Sequence, residues 1–213
     1  MNRSAGTSAA SDRAHWERVY TDKDPHRVSW YEPVLERSLE LIGEAGLDPD
    51  APILDAGGGA STLAAALLDA GYTDVTVADI SAAALEHARA ELGRRAGGVT
   101  WIAVDLREHD PGRTYALWHD RAAFHFMVDP RDRVAYLDTL RRNLRPGGHV
   151  VITTFGPDGP TRCSGLPTMR YDATGLEELL GDEFELVSSS LDAHRTPSGS
   201  EQQYLHAHLR RQG

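Results

Sequence analysis

One cysteine, Cys163, is the only thiol in the chain. That excludes an intramolecular disulfide and any zinc site built from several cysteines, and it suits a reducing compartment. No apolar run approaches the ~20 residues that span a bilayer. The first dozen residues, MNRSAGTSAASD, lack the apolar segment of a secretory signal. Residues 1–12 therefore read as a flexible polar leader, and the cytoplasm is the expected compartment. Positive charge is scarce as well: 22 Lys and Arg stand against 32 Asp and Glu, a formal net charge of −10. Nonspecific affinity for a phosphate backbone comes from clustered cations, so neither nucleic acid nor a membrane is an expected partner. No grouping of side chains has the spacing of metal ligands, and no metal is expected.

What remains is ordinary for a globular protein: 213 residues, 40% hydrophobic and 25% charged, enough for one well-buried core. The expected organisation is a single domain over residues 13–213, with a helical cap at 13–48 and an α/β core at 49–213. In the cap, DRAHWERVYTDK and YEPVLERSLELIGEAG repeat apolar residues at three- and four-residue spacing, including Val34, Leu35, Leu39 and Ile42. From Pro49 onward, short apolar runs alternate with amphipathic stretches: APILD, DVTVAD, GVTWIAVD, YALWHD and HVVITTF as strands; STLAAALLDAG, SAAALEHARAELGRRAG and PRDRVAYLDTLRRNLRPGG as helices. Ser81 is the expected N-cap of the second of these helices, and Pro146 with two glycines is expected to stop the third. Such alternation implies a doubly wound, mostly parallel sheet of seven strands. After the helix DATGLEELLGD, two strands joined by a Pro-Ser-Gly turn must pair as an antiparallel hairpin. On its second strand His206 and His208 alternate and are expected on a solvated face.

The stretch LDAGGGAST, residues 54–62, joins the first strand to a helix. Glycines there let backbone approach a ligand, and a helix start supplies unpaired N–H groups. A dinucleotide would require G-x-G-x-x-G or G-x-G-x-x-A. Gly57 and Gly59 fit, but the last position is Thr62, and Asp55 would repel a diphosphate. An acid at that lip suits a ligand presenting an ammonium group and no phosphate.

LDAGGGAST, the acid ending VADIS, the acid in AVDL and the late LRPGGHVVI occur in the order found in class I (Rossmann-like) S-adenosylmethionine-dependent methyltransferases, which the sequence resembles from Ile53 to Phe155. The resemblance implies S-adenosyl-L-methionine as cofactor. It implies that Asp55, Gly57, Gly58, Gly59 and Ser61 form the first motif, with Ser61 where a third glycine is common. Asp79 with Ile80 is implied to hold the ribose hydroxyls, and Asp105 with Leu106 to frame the adenine. It also places WHDRAAFHF, after the fourth strand, beside the methyl group. His119, Asp120, Arg121 and His125 are thus the candidate catalytic residues, with His119 also near the cofactor. A histidine or carboxylate there could take a proton from an acceptor thiol, hydroxyl or amine.

Trp30 and Tyr31 are expected to form a lid, Trp30 over the cofactor and Tyr31 over the substrate, while Trp16 and Tyr20 read as a helix's apolar side. Arg121, Cys163 and His194 are the other candidate substrate contacts, with Gln203 toward the mouth of the site. The leading expectation is methyl transfer to a small-molecule O, N or S nucleophile; the alternative is a protein (lysine) methyltransferase. An NAD-dependent oxidoreductase and a noncatalytic S-adenosylmethionine-binding protein are the remaining alternatives.

Overall fold

A computed structural model describes residues 9–108 and 112–213. Five short strands run parallel: β1 (Ile53–Ala56), β2 (Val75–Asp79), β3 (Val99–Ala103), β4 (Tyr115–Arg121) and β5 (Leu144–Phe155). A two-residue pair, β6 (Arg162–Cys163) and β7 (Leu166–Pro167), follows, and a long hairpin, β8 (Phe184–Arg195) and β9 (Glu201–Arg211), ends the chain. The main sheet has the order β3-β2-β1-β4-β5-β9-β8, and its antiparallel pairings are those of β9 with β5 and with β8. Six helices accompany the strands: α1 (Ala9–Asp22), α2 (Glu36–Glu44), α3 (Leu63–Asp69), α4 (Ala82–Leu92), α5 (Pro130–Asn143) and α6 (Ala173–Leu180).

Every residue of β1 and β2 is buried, as expected of parallel strands covered on both faces. One apolar layer joins Leu54, Trp118 and Val150 to α5 and α6 through Tyr136, Leu140 and Leu176; the other joins Ile53, Leu117 and Val151 to α2 and α3 through Leu41, Leu63 and Leu67. The order reverses between β1 and β4. A doubly wound sheet leaves its crevice at that point, beyond the carboxyl ends of the strands.

The caps are local chemistry. Ser81 Oγ accepts from Ala84 N at 3.1 Å, as the sequence predicts. Asp129 caps α5 with Pro130 in its first turn, and Asp172 caps α6.

Several expectations need correction. Helix α1 begins at Ala9, so Ala9–Asp12 belong to it and not to a flexible leader; residues 1–8 of that expected leader lie outside the described residues. Asp12 is held there by Arg107 at 3.0 Å. Val34, read as apolar-face, is 54% exposed because α2 starts only at Glu36, past Pro33. Helix α5 ends at Asn143, before Pro146, and Leu144 passes straight into β5. His206 and His208 are buried, at 7% and 1% exposure. β9 pairs with β5 and β8 along both edges, and residues 204–209 are buried on both of its faces.

Candidate active site

The turn after β1 is pinned to β2: Gly57 N and Gly58 N both donate to Ala78 O, at 2.7 and 3.2 Å. Each glycine is needed by a different neighbour. A Cβ on Gly57 would lie 2.4 Å from Ala123 Cβ, one on Gly58 2.4 Å from Asp55 Oδ2, and one on Gly59 2.7 Å from the Tyr20 hydroxyl. Gly57 and Gly59 also take φ of +72° and +54°, where a side chain is strained. The loop after β4, the Asp55 carboxylate and helix α1 thus close on the turn from three sides.

A cavity opens above the strand ends. Its floor includes Gly57, Gly58, Asp79, Ile80, Asp105 and Leu106; Ser61 and His119 also line it. Trp16, Trp30, Tyr31, Phe126 and Cys163 cover it. The Trp16 ring packs edge-on against Trp30 at 5.7 Å and Phe126 at 4.9 Å between centroids. Trp16 and Tyr20, expected merely as a helix's apolar side, are therefore part of the roof, while Trp30 and Tyr31 lie where a lid was expected. Gly59 lies outside the lining, under Tyr20.

Asp79 is buried at the end of β2 and accepts from Ser81 N at 2.8 Å. Burial pushes its carboxyl up to about 7, with the charges of Asp55 and Glu17 adding to the shift. Asp105 is engaged differently. Arg107 grips both its oxygens, at 2.9 Å from Nε to Oδ1 and 2.6 Å from Nη2 to Oδ2, and reaches Asp132 and Asp12 at 3.1 and 3.0 Å. These hydrogen bonds outweigh desolvation and hold the Asp105 carboxyl below its usual range. Asp105 and Leu106 both line the cavity, with the Asp105 carboxylate paired to Arg107.

The residues expected on the acceptor side are mostly spoken for. His119 is buried, with Nδ1 2.8 Å from Asp55 Oδ1 and Nε2 3.0 Å from Ser38 Oγ. Both ring nitrogens are hydrogen-bonded within the protein, so His119 ties β4 to β1 and α2. Asp120 is fully buried and accepts from Ala123 N and Phe124 N at 3.1 Å and from the Tyr136 hydroxyl at 2.5 Å. It shapes the loop after β4 and does not line the cavity. Burial raises its carboxyl to about 6 against these hydrogen bonds.

Arg121 donates to Trp30 O at 2.8 Å, pairs with Glu32 at 2.8 Å and lies over the Tyr204 ring. It fastens the connector carrying Trp30 and also lines the cavity. His194 joins the same knot outside the cavity, with Nδ1 2.8 Å from Glu32 Oε1 and Nε2 2.9 Å from Ser29 O. Gln203 is likewise turned away, with its Oε1 accepting from Asp158 N. Cys163 does line the cavity, beside Ser29, and burial pushes its thiol up.

Among the described residues, His125 is the candidate catalytic residue with a buried nitrogen left without a partner. Its Nδ1 accepts from Phe155 N at 3.3 Å, and Nε2 is buried with no partner among the described residues. Burial and the nearby Arg121 charge lower the imidazole to about 3, so the ring is neutral. The sequence reading missed Asp12, Glu32, Ser38 and Arg107. Only Arg107, two residues past Asp105, left a spacing signal; the others act from helix α1, the connector and α2.

Residues 53–148 match the family model described as a methyltransferase domain. Over residues 53–148 the chain is similar to methyltransferase domains, and its fold is that of the class I, Rossmann-like S-adenosylmethionine-dependent methyltransferases. The chain is 28% identical over 175 residues to a malonyl-[acyl-carrier protein] O-methyltransferase of Anoxybacillus flavithermus, covering 79% of this chain and 64% of that protein. It is 26% identical to the same enzyme of a Paenibacillus species, covering 67% and 52%. The chain thus spans between about half and two thirds of the length of these relatives. Among solved structures, the Burkholderia thailandensis 1,6-didemethyltoxoflavin N1-methyltransferase, with its substrate and S-adenosylhomocysteine bound, superposes with a TM-score of 0.78 at 25% identity, covering 100% and 94%. NodS of Bradyrhizobium japonicum shares the fold, with a TM-score of 0.72 at 20% identity over 93% and 97%.

Proposed function

We propose that this protein transfers a methyl group from S-adenosyl-L-methionine to a small-molecule oxygen, nitrogen or sulfur nucleophile. The observation that carries it is Asp79: a buried carboxylate at the end of β2, beside a glycine turn and inside a cavity roofed by Trp16, Trp30 and Phe126. The residues fit that cofactor. Asp79 can receive the ribose hydroxyls, Ile80 and Leu106 offer apolar contact to the adenine, and the turn at Gly57 and Gly58 brings backbone to the cavity wall. The Asp55 carboxylate behind that turn repels a diphosphate and attracts an ammonium, which favours this cofactor over a dinucleotide.

When bound, S-adenosylmethionine supplies a methyl group already activated for in-line displacement. The chain's task is alignment and exclusion of water, which is worth on the order of 7 to 11 kcal/mol when well executed. Helix α1 and the connector do this by covering the strand ends, with Arg121 fastening the connector. A roofed cavity suits a free small molecule better than a side chain on a folded protein, so protein methylation is not favoured. The A. flavithermus relative is named for a carrier-protein-linked acceptor, and the B. thailandensis neighbour holds a small heterocycle. The buried single thiol is consistent with a cytoplasmic location.

The test is thermal stability with S-adenosylhomocysteine, S-adenosylmethionine and NADH, repeated on Asp79→Ala. An adenosyl ligand at a hundred times its Kd stabilises by ~2.7 kcal/mol. The expected result is a raised Tm in wild type and a much smaller rise in the variant. Stabilisation by NADH alone overturns the reading.

A further inference from the structure

Among the described lining residues of the cavity, His125 is the one with a buried side-chain polar atom left without a partner, Nε2. Among the described lining residues the arginines are Arg107 and Arg121, and both are already neutralised: Arg107 by Asp105, Asp132 and Asp12, Arg121 by Glu32. A second charge balance for an anionic acceptor is therefore missing. The neighbouring walls are apolar and aromatic, from Trp16, Trp30, Phe126 and Met127. Within them stands His125, fully buried, stacked on Phe155 at 4.3 Å between centroids and 13° between planes.

The hydrogen bonding fixes the tautomer of this ring. Phe155 N donates to Nδ1 at 3.3 Å, so Nδ1 is the lone-pair nitrogen. In the neutral ring the proton is then on Nε2, which makes Nε2 a donor and removes it as a base. A buried donor without a partner is uncommon and costly, and one lining a cavity calls for a ligand-side explanation.

Resting on the methyltransferase reading above, we infer that His125 is a specificity-determining residue of the acceptor half. Its Nε2–H receives a ring nitrogen or carbonyl oxygen of a flat, uncharged acceptor seated against Trp16, Trp30 and Phe126. His125 takes no proton from the acceptor. The acceptor class is accordingly an aromatic or heteroaromatic molecule whose nucleophilic atom is reactive as it arrives, or loses its proton to water.

Two measurements test this on the 213-residue chain saturated with S-adenosylhomocysteine. The first is nitrogen-15 NMR of the histidine rings in wild type and His125→Phe. The signal missing from the variant should show the Nε2–H tautomer and not titrate between pH 5 and 8. A titrating ring, or the Nδ1–H form, overturns the inference whatever the acceptor.

The second is binding of three bicyclic probes of one shape: isoquinoline, naphthalene and 1-naphthoate. Wild type should bind isoquinoline about tenfold more tightly than naphthalene, the order of one hydrogen bond, and should bind 1-naphthoate more weakly than isoquinoline. That preference for isoquinoline should vanish in His125→Phe and return in part in His125→Asn, which restores an N–H. Preference for 1-naphthoate, an unchanged preference in His125→Phe, or no binding of any probe overturns the assigned acceptor class. Failure of S-adenosylhomocysteine to stabilise wild type counts against the cofactor reading instead, and the NMR result still decides the role of His125.

Discussion

His119 and Asp55 face each other across adjacent parallel strands, in register, with Nδ1 2.8 Å from Oδ1. Ser38 of α2 closes the chain of bonds from the other side of the ring. One acid of the glycine motif and one histidine of the fourth strand thus hold the floor of the site and the helical cap together.

Replacing His119 by Ala leaves a buried carboxylate short of its partner and opens a cavity. The expected loss of stability is on the order of 3 kcal/mol, read by urea denaturation. A variant that keeps wild-type stability yet loses methyl transfer would put His119 back on the acceptor side.

Asp79 carries a pH signature. Its carboxyl titrates near 3.8 when unfolded and at about 7 when folded. Between these values the folded state holds the extra proton, so the Asp79 contribution to stability is present at low pH and is lost as pH rises through about 7. Asp120, raised to about 6, acts with the same sign, so the comparison with Asp79→Asn isolates the first group. The wild-type advantage over that variant should shrink from pH 4 to pH 7 in denaturation curves. S-adenosylhomocysteine binding should follow the opposite course, weakening as pH falls below about 7, because the ionised acid is the better acceptor for hydroxyls. A pH-independent difference would show that Asp79 ionises as it does in water.

Arg121 joins the connector to the sheet through one carbonyl, one carboxylate and one ring face. Arg121→Lys keeps the charge but not the planar fork. Calorimetric binding of S-adenosylhomocysteine should weaken by roughly tenfold, equivalent to ~1.4 kcal/mol, and limited proteolysis should cut faster within residues 23–35. Unchanged cleavage there would mean that the aromatic packing of Trp30 alone holds the connector.

The glycines of the turn differ from those elsewhere. In Gly58→Ala the new methyl meets Asp55 Oδ2 at 2.4 Å and Val77 Cγ1 at 2.7 Å, neither of which can swing away. Overpacking of this kind costs about 1–3 kcal/mol. Gly43 in α2 has nothing within 4 Å of its built Cβ, and Gly43→Ala should stabilise by about 0.5–1 kcal/mol. Thermal melts of the two variants should move in opposite directions.

The strand and helix pattern was legible because parallel strands buried on both faces must be apolar throughout, as ILDA and VTVAD are, and because the Ser81, Asp129 and Asp172 caps act within three residues. The ordered acids at 55, 79 and 105 were legible for the same reason: each ends or follows a strand, and strand ends converge at the crevice. How those acids are used was not. Whether Asp105 faces a ligand or an arginine depends on Arg107 drawing in Asp12 and Asp132 from two helices, and whether His119 is a base depends on Ser38, which is far away in sequence. His206 and His208 read as solvated because alternation alone cannot say whether a strand face is covered, and only the packed structure buries both faces of β9. The sequence by itself determined the periodicities, the turns and the placement of charge along the chain. The tertiary structure decided which polar atoms are satisfied by protein and that His125 Nε2 is not, because hydrogen bonds between distant segments exist only once the sheet and cap have packed.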